Sequence, residues 1–241
     1  MIVEINELEK VTLKNPIVVE GFPGIGMVGP IAASFLSARP CMRLVGTISS
    51  THFPPIAAIH DYKPVSPARI YACEDHNMLV LFSEFVIPAE IVLPLARELI
   101  DFAKSKKAKA IYSLAGIAVE LPSEKLHGIA STPAMGDLLK AKGVELIKEG
   151  ATQGVSGVLI AECAAQKFPA ANIMVETNKP LDPASAARLI DFLSSMAGFK
   201  IDTKPLLQEG QQIETKLKGA MEKMQSLHQD YKQMEQNPMY G

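Results

Sequence analysis

Several features that mark whole classes of protein are scarce or missing in this chain of 241 residues. It has no tryptophan, only three cysteines and a net charge of −2. No apolar run reaches the roughly 18 residues of a membrane-spanning helix, and residues 1–7 are acidic and lack the apolar core of a signal peptide. The nearly balanced charge indicates no basic surface for nucleic acid or for an anionic membrane. We therefore expect neither nucleic acid nor a membrane as a partner.

The cysteines and histidines also form no recognised pattern. Cys41, Cys73 and Cys163 are far apart and odd in number, which predicts neither a disulfide framework nor a zinc site. This usage is typical of a reducing, cytoplasmic setting. Cys73 and His76 are close in sequence, but a hairpin turn accounts for both, and the histidines form no H-E-x-x-H or similar metal pattern. We predict no metal and no cofactor.

What the chain does have is apolar sequence in short alternating segments. Hydrophobic residues make up 48% and charged residues 21%, which is ordinary for a globular protein with a sizeable core. Apolar, β-branched runs alternate with helical patterns as far as about residue 200. This alternation predicts an α/β fold, with a mostly parallel or mixed sheet covered by helices on both faces.

The segments are assigned from apolar runs and from proline and glycine breaks. Strands are predicted at 2–5, 17–20, 43–49, 68–73, 77–83, 110–115, 144–147 and 172–176. Helices are predicted at 31–38, 88–104, 132–142, 158–167 and 182–196. Thr51–Pro67 holds four prolines and is predicted to be mostly loop. Pro94 predicts a kink or a later start in the second helix.

A glycine-rich stretch, Gly21–Gly29, joins the second strand to the first helix. Gly24, Gly26 and Gly29 spell G-x-G-x-x-G, the dinucleotide-binding fingerprint. That site needs an acidic residue about 20 positions further on to hold the ribose, yet no acid occurs before Asp61. Two prolines in and beside the stretch also remove backbone N–H donors. We interpret the glycines as a tight turn that allows close helix–strand packing.

Catalytic patterns elsewhere are incomplete. Ser156, in Gly154–Gly157, misses the G-x-S-x-G spacing of a nucleophilic serine by one position. Glu84, Glu90 and Glu176 lie at strand or helix ends, where a pair of carboxylates can perform acid–base chemistry. An enzyme that uses a pocket near the glycine stretch with Glu84 or Glu90 is therefore an alternative to a binding protein.

The composition changes from Lys204 onward, where Gln, Glu, Lys and Met dominate. Apolar residues recur there at spacings of four and three over about three heptads. They are Ile213, Leu217, Ala220, Met224, Leu227, Tyr231 and Met234. The spacing predicts a helix over 204–236 whose narrow apolar seam pairs with other subunits or packs along its own domain. We assign oligomerisation to Ile213, Leu217, Met224, Leu227 and Tyr231.

The last residues form a third segment. Asn237 and Pro238 end the predicted helix, because proline disfavours helical geometry in the residue before it. Residues 237–241 then form a free tail, after the core domain at 1–203 and the helix at 204–236. Met239, Tyr240 and Gly241 offer a partner an apolar contact, a phenol and a carboxylate.

Three stretches together resemble the proteasome assembly chaperone family, specifically the archaeal homologues of the second chaperone subunit. They are Gly21–Gly29, Gly157–Glu162 and Asp182–Leu189, and a helical tail follows in the matching place. The resemblance implies a three-layer α/β/α sandwich similar to nucleoside phosphorylases and related hydrolases, without an established catalytic site. It also implies a homo-oligomer, a tetramer or pentamer, that binds the proteasome core particle.

The resemblance further implies roles for the last three residues, which match the hydrophobic–tyrosine–any-residue end of proteasome activators. Met239 would supply the apolar contact and Tyr240 the phenol, and the carboxylate of Gly241 would pair with a lysine in an α-ring pocket. The chain is thus interpreted as a non-catalytic, ATP-independent assembly chaperone homologue or activator. The alternatives are a hydrolase or phosphorylase, and an oligomeric scaffold that does not bind the proteasome.

Overall fold

The computed structural model describes residues 2–208 and four isolated later positions, 215, 219, 222 and 226. The strands are β1 Val3–Glu7, β2 Ile17–Gly21, β3 Arg43–Ser50, β4 Ala58–His60, β5 Lys63–Val65, β6 Ala68–Cys73, β7 Met78–Ser83, β8 Ala110–Ala118, β9 Leu126–Ala130, β10 Glu145–Leu146 and β11 Ala170–Thr177. The helices are α1 Val28–Ser37, α2 Ala89–Ser105, α3 Pro133–Ala141, α4 Gly154–Ala165, α5 Pro183–Ala197 and α6 Lys204–Gln208.

Among the described residues, the main sheet has nine strands in the order β1-β3-β6-β7-β2-β8-β11-β9-β10. Its centre is parallel, because β2 pairs in parallel with β7 and β8, and β8 with β11. Antiparallel pairs flank this centre, β6 with β7 on one side and β9 with β11 on the other. Strand β2 is therefore central, and the glycine stretch leaves the sheet at its carboxyl edge, where α/β proteins commonly place their sites.

Helices cover both faces of the sheet. Successive residues of a strand point to opposite faces, so they contribute to two hydrophobic cores among the described residues, one on each face. Val19 faces the core formed with α1, α3 and α5, whereas Val18 faces the core formed with α2 and α4. Strand β2 is buried along its whole length. Strands buried on both faces have nearly continuous apolar sequences, which explains the apolar run at its start. The three-layer α/β/α architecture predicted from the sequence is confirmed.

Local signals in the sequence account for several helix ends. Thr132 and Asp182 accept hydrogen bonds from the backbone amides of Met135 and Ser185, and each is followed by proline at the first helical position. Such caps satisfy amides that the helix leaves without partners. Helix α2 begins at Ala89 and continues through Pro94, so the later start considered for this helix is wrong.

Two regions differ from the sequence-based assignment. The proline-rich segment predicted to be mostly loop contains a small hairpin, in which β4 and β5 pair in antiparallel fashion. The region 116–130, left unassigned, supplies β9, whose partner β11 lies more than 40 residues away. In both cases pairing, rather than local composition, decides the structure.

The cysteine prediction is also corrected. Cys41 and Cys73 form a disulfide; they are 32 positions apart in sequence, and their Cα atoms are 5.2 Å apart. Cys41 follows α1, and Cys73 ends β6. Their proximity results from the antiparallel pairing of β3 with β6, which brings Arg43 opposite Ala72. Cys163 is a free, buried thiol.

The predicted tail helix falls almost entirely beyond the described residues. Helix α6 begins at Lys204, and the four later described positions are helical and exposed.

In the part of the chain that the structure describes, no helix combines the length and the apolar character that crossing a bilayer requires.

Candidate functional site

The glycine stretch forms a tight turn between β2 and α1. Gly26 has φ of +67° and Met27 has φ of +48°, so two consecutive residues adopt the left-handed conformation. The Met27 amide closes the turn by donating to the carbonyl of Gly24 at 3.1 Å. Glycine adopts this conformation without steric cost, whereas at Met27 the surrounding packing must hold it.

Close packing explains two further glycines. A Cβ atom on Gly21 would lie 2.5 Å from the carbonyl oxygen of Gly29, and one on Gly29 would lie 2.4 Å from that of Leu114. The first turn of α1 therefore packs directly on the backbone of β2 and β8. Val28, Gly29 and Pro30 are buried, so this helix N-terminus does not present free amides to a phosphate. The interpretation of the glycines as a packing turn is confirmed.

The same turn is tied to α5 through Asp182. The Asp182 amide donates to the carbonyl of Gly26 at 2.9 Å. Its buried carboxylate accepts from the hydroxyl of Thr177 at 2.6 Å and from the hydroxyl of Ser185 at 2.8 Å. Burial alone would raise the pKa of Asp182, but these hydrogen bonds, that of the Ser185 amide and the charge of Lys179 together lower it. Asp182 thus joins the glycine turn, β11 and α5 while ionised.

Replacing Asp182 with asparagine is expected to lower the free energy of unfolding by about 1–2 kcal/mol at pH 7, the range measured for helix caps and charged hydrogen bonds. A carboxylate with a lowered pKa stabilises the fold above its ordinary value of 3.8, and that stability is lost as the pH falls through the folded-state pKa. Denaturant unfolding at pH 7 and pH 3 should therefore show the difference between variant and parent shrinking in acid. A difference that stays constant with pH would contradict this role.

A second buried acid lies one residue before the turn. Glu20 is 1% exposed, and its carboxyl group accepts from the Phe22 amide at 2.8 Å and from the Ser156 hydroxyl of α4 at 2.9 Å. Burial raises the pKa of Glu20, and hydrogen bonds from Ser113, the Phe22 amide and Ser156 only partly offset this. The group links β2 to α4 through the hydrogen bond from Ser156.

This link was not predicted from the sequence, although both of its residues lie at unusual positions in the sequence. Glu20 interrupts an apolar strand run, and Ser156 lies in the near-miss serine motif. The register places Glu20 beside Ser113, and Ser113 beside Asn172, so a polar row crosses three central strands under α4. The side-chain amide of the buried Asn172 has no hydrogen-bond partner among the residues described.

The carboxylates predicted for acid–base chemistry are not brought together. Glu84 pairs with Arg69 and lies 2.7 Å from Nε2 of His60, which attaches the β4–β5 hairpin to the sheet. Glu90 is exposed in the first turn of α2. Within 2–208, no hydrogen bond or ion pair links the predicted acids to one another.

Glu176, the third predicted acid, lies near the carboxyl end of β11, which β2 and β8 separate from β7, the strand that Glu84 follows. It accepts from the Ser123 amide at 2.7 Å and lies 2.9 Å from Nε2 of His127. The hydrogen bond from the Ser123 backbone, followed by that from its side chain and by His127, lowers the pKa of Glu176. The carboxylate lies between serine and histidine, whereas a nucleophilic serine needs the histidine as its direct partner.

A shallow pocket does open beside the glycine turn, between the ends of β8 and β11. It is lined by Ile25, Gly26, Ala118, Val119, Glu120, Thr177, Asn178, Lys179 and Pro180. Glu120 and Lys179 are its charged residues, and neither Glu84 nor Glu90, the acids assigned in the enzyme alternative, lines it.

The residues assigned to partner binding and oligomerisation lie outside the described residues. These are Met239, Tyr240 and Gly241, and Ile213, Leu217, Met224, Leu227 and Tyr231. The segment that leads to them is described and anchored. Leu206 of α6 is fully buried, and the Thr203 hydroxyl donates to Asp191 of α5 at 3.0 Å. The ring of Phe199 stacks on His76 with centroids 5.0 Å apart.

The described residues form an α/β/α protein with a mixed sheet, a glycine turn used for packing, and an anchored segment at 199–206. Its buried acids Glu20 and Asp182 link neighbouring elements. The chain belongs to the PAC2 family, whose sequence model matches residues 18–221. It is also 32% identical over 236 residues to the uncharacterized protein MJ0106 of Methanocaldococcus jannaschii, with 97% of this chain and 96% of that protein covered.

Solved structures agree with this assignment. Pyrococcus furiosus PbaA, described as an archaeal homolog of proteasome-assembly chaperone, superposes with a TM-score of 0.83 at 30% identity, covering 93% of this chain and 98% of PbaA. Pyrococcus furiosus PbaB, described as an archaeal proteasome activator, has a TM-score of 0.76 at 20% identity, covering 90% and 98%. At that identity the likeness to PbaB concerns the fold. The family resemblance predicted from the sequence is confirmed.

Proposed function

We propose that this chain is a non-catalytic, ATP-independent protein of the cytoplasm that binds the proteasome core particle. Membership of the PAC2 family carries the proposal, together with a likeness over nearly the whole chain to PbaA, a homolog of proteasome-assembly chaperone. The separation of the predicted carboxylates, and a pocket beside the glycine turn that neither Glu84 nor Glu90 lines, favour binding over catalysis.

The binding element in this proposal is the end of the chain. Met239 makes an apolar contact, the phenol of Tyr240 forms a hydrogen bond, and the carboxylate of Gly241 pairs with a lysine between α-ring subunits. A helix over 204–236 would carry these residues up to roughly 50 Å from the core domain. The anchoring of α6 by Leu206 supports a fixed starting point for that helix.

Self-association would allow several tails, each of which binds weakly alone, to bind the core particle together. The seam formed by Ile213, Leu217, Met224, Leu227 and Tyr231 would join subunits into a tetramer or pentamer. Several tails presented together gain avidity of about 10²- to 10⁴-fold when their spacing matches the sites. A ring of α subunits offers such repeated sites.

Tyr240→Ala, and removal of residues 239–241, are each expected to weaken association with archaeal core particles at least tenfold. Addition of one alanine after Gly241 should do the same, because it displaces the terminal carboxylate. Association is measured by immobilised-particle binding, and peptide hydrolysis by the core particle is followed in parallel.

Tyr62→Ala is the matched control, because Tyr62 is fully exposed on the β4–β5 hairpin, far in sequence from the tail. It should bind like the parent, and light scattering should give one size for all variants. Unchanged binding by the tail variants would exclude tail docking. Turnover of nucleosides or esters, lost in Glu84→Gln, would instead favour the enzyme alternative.

A further inference from the structure

A cluster of two sulfurs and an imidazole lies at the edge of the sheet opposite the glycine turn. Cys41 precedes β3, Cys73 ends β6, and His76 lies in the turn that leads into β7. The Sγ atoms of both cysteines and a ring nitrogen of His76 are all within 4.8 Å of one another. The disulfide involves only the sulfurs, so the position of the histidine is an additional feature of the cluster.

The surroundings of the cluster suit metal ligands. The His76 amide donates to Sγ of Cys73 at 3.3 Å, so this sulfur already has a polar donor beside it. The His76 ring stacks on Phe199 at an interplanar angle of 29°, and this contact restrains the orientation of the ring. Cys41 and His76 are half-buried, so an ion can reach the cluster from solvent.

We propose that the reduced form of this cluster is a zinc site, with the thiolates of Cys41 and Cys73 and one ring nitrogen of His76 as ligands. A Cys₂His set that leaves one position for water is an established zinc arrangement. With Zn–S of about 2.3 Å and Zn–N of about 2.0 Å, ligand atoms around a tetrahedral ion lie roughly 3.3–4 Å apart. In the oxidised protein the two sulfurs are bonded to each other, so after reduction they must separate to reach this spacing, whereas the ring nitrogen of His76 already lies within 4.8 Å of both.

The disulfide and the metal compete for the same sulfurs. A dithiol reductant transfers two electrons and two protons to the Cys41–Cys73 bond, which gives two thiols, and is itself oxidised to a disulfide. Zn²⁺ then displaces the two thiol protons and binds the thiolates, because only deprotonated cysteine ligates. The oxidised protein therefore has no zinc site here.

Zinc titration of the full-length protein tests the proposal. The protein is reduced with a dithiol, freed of reductant under nitrogen and titrated with Zn²⁺ against a colorimetric chelator, with Co²⁺ as a spectroscopic substitute. We expect one tightly bound Zn²⁺ per chain and the thiolate-to-Co²⁺ absorption of a sulfur-ligated site. The air-oxidised protein should bind neither ion at this site.

Variants identify the ligands. Cys41→Ser, Cys73→Ser and His76→Ala should each weaken zinc binding at least tenfold, with circular dichroism confirming that they are folded. Cys163→Ser is the matched control, because Cys163 is buried elsewhere and is not part of the cluster; it should bind like the parent. Failure of the reduced parent to bind zinc, or full binding by either Cys41→Ser or His76→Ala, would overturn the three-ligand site.

Discussion

Replacing Gly29 with alanine is expected to reduce the free energy of unfolding by about 3 kcal/mol, the upper part of the range for overpacked sites. The new Cβ would lie 2.4 Å from the carbonyl oxygen of Leu114, 3.2 Å from that of Phe22 and 3.3 Å from the Cα of Gly21. All three are backbone atoms of the sheet or of the turn, so no side-chain rotation relieves the contact.

The sign of this result separates two opposing effects. Gly29 lies in the first turn of α1, and alanine favours a helix over glycine by up to about 1 kcal/mol. A stabilised Gly29→Ala variant would mean that α1 can move away from β8 without loss. A destabilised variant means that contact of the helix with the strand backbone is what glycine provides here.

Gly24→Ala is the matched control, in the same turn. Gly24 is exposed and has an extended φ of −159°. A Cβ atom added at this position would have no heavy atom within 4 Å. We expect a change of less than about 0.5 kcal/mol, as for surface substitutions in general. Chemical denaturation at pH 7 measures both variants, and equal losses would contradict the packing explanation.

The fold was largely predictable because its signals are local. The apolar run of β2, the glycine turn after it and the Asp182–Pro183 start of α5 each lie within a few residues of sequence. Strand pairing is different, because it joins distant segments. The sequence around 116–130 carries little that indicates β9, which forms because β11 supplies its partner.

The same distinction applies to the disulfide and to the candidate sites. Cys41 and Cys73 are separated by 32 positions, and only the register of β3 on β6 brings them together. Glu20 and Ser156 are 136 positions apart and meet only when α4 covers the sheet. The tail residues differ again, because Met239 to Gly241 are proposed from residue chemistry and family resemblance alone and lie outside the described residues.

Replacing Glu20 with alanine is expected to lower the free energy of unfolding by about 2–4 kcal/mol. The Phe22 amide and the Ser156 hydroxyl would lose their acceptor, and each unpaired buried donor costs about 1–3 kcal/mol unless it finds a new partner. The removed side chain also leaves a cavity between β2 and α4. Chemical denaturation monitored by circular dichroism gives the difference.

Glu20→Gln separates hydrogen bonding from charge, because glutamine keeps an acceptor for the Phe22 amide but does not ionise. Burial raises the pKa of Glu20 in the folded protein above its ordinary value of 4.5. The folded state therefore holds its proton at pH values where the unfolded chain releases it. The parent is then most stable with respect to this group below pH 4.5 and loses that stability as the pH rises towards the folded-state pKa.

Glutamine has no such loss, so the stability of Glu20→Gln relative to the parent should rise with pH across this interval. Unfolding curves at successive pH values from 4 to 8 measure this trend, and a difference that does not change with pH would mean that Glu20 titrates alike in both states.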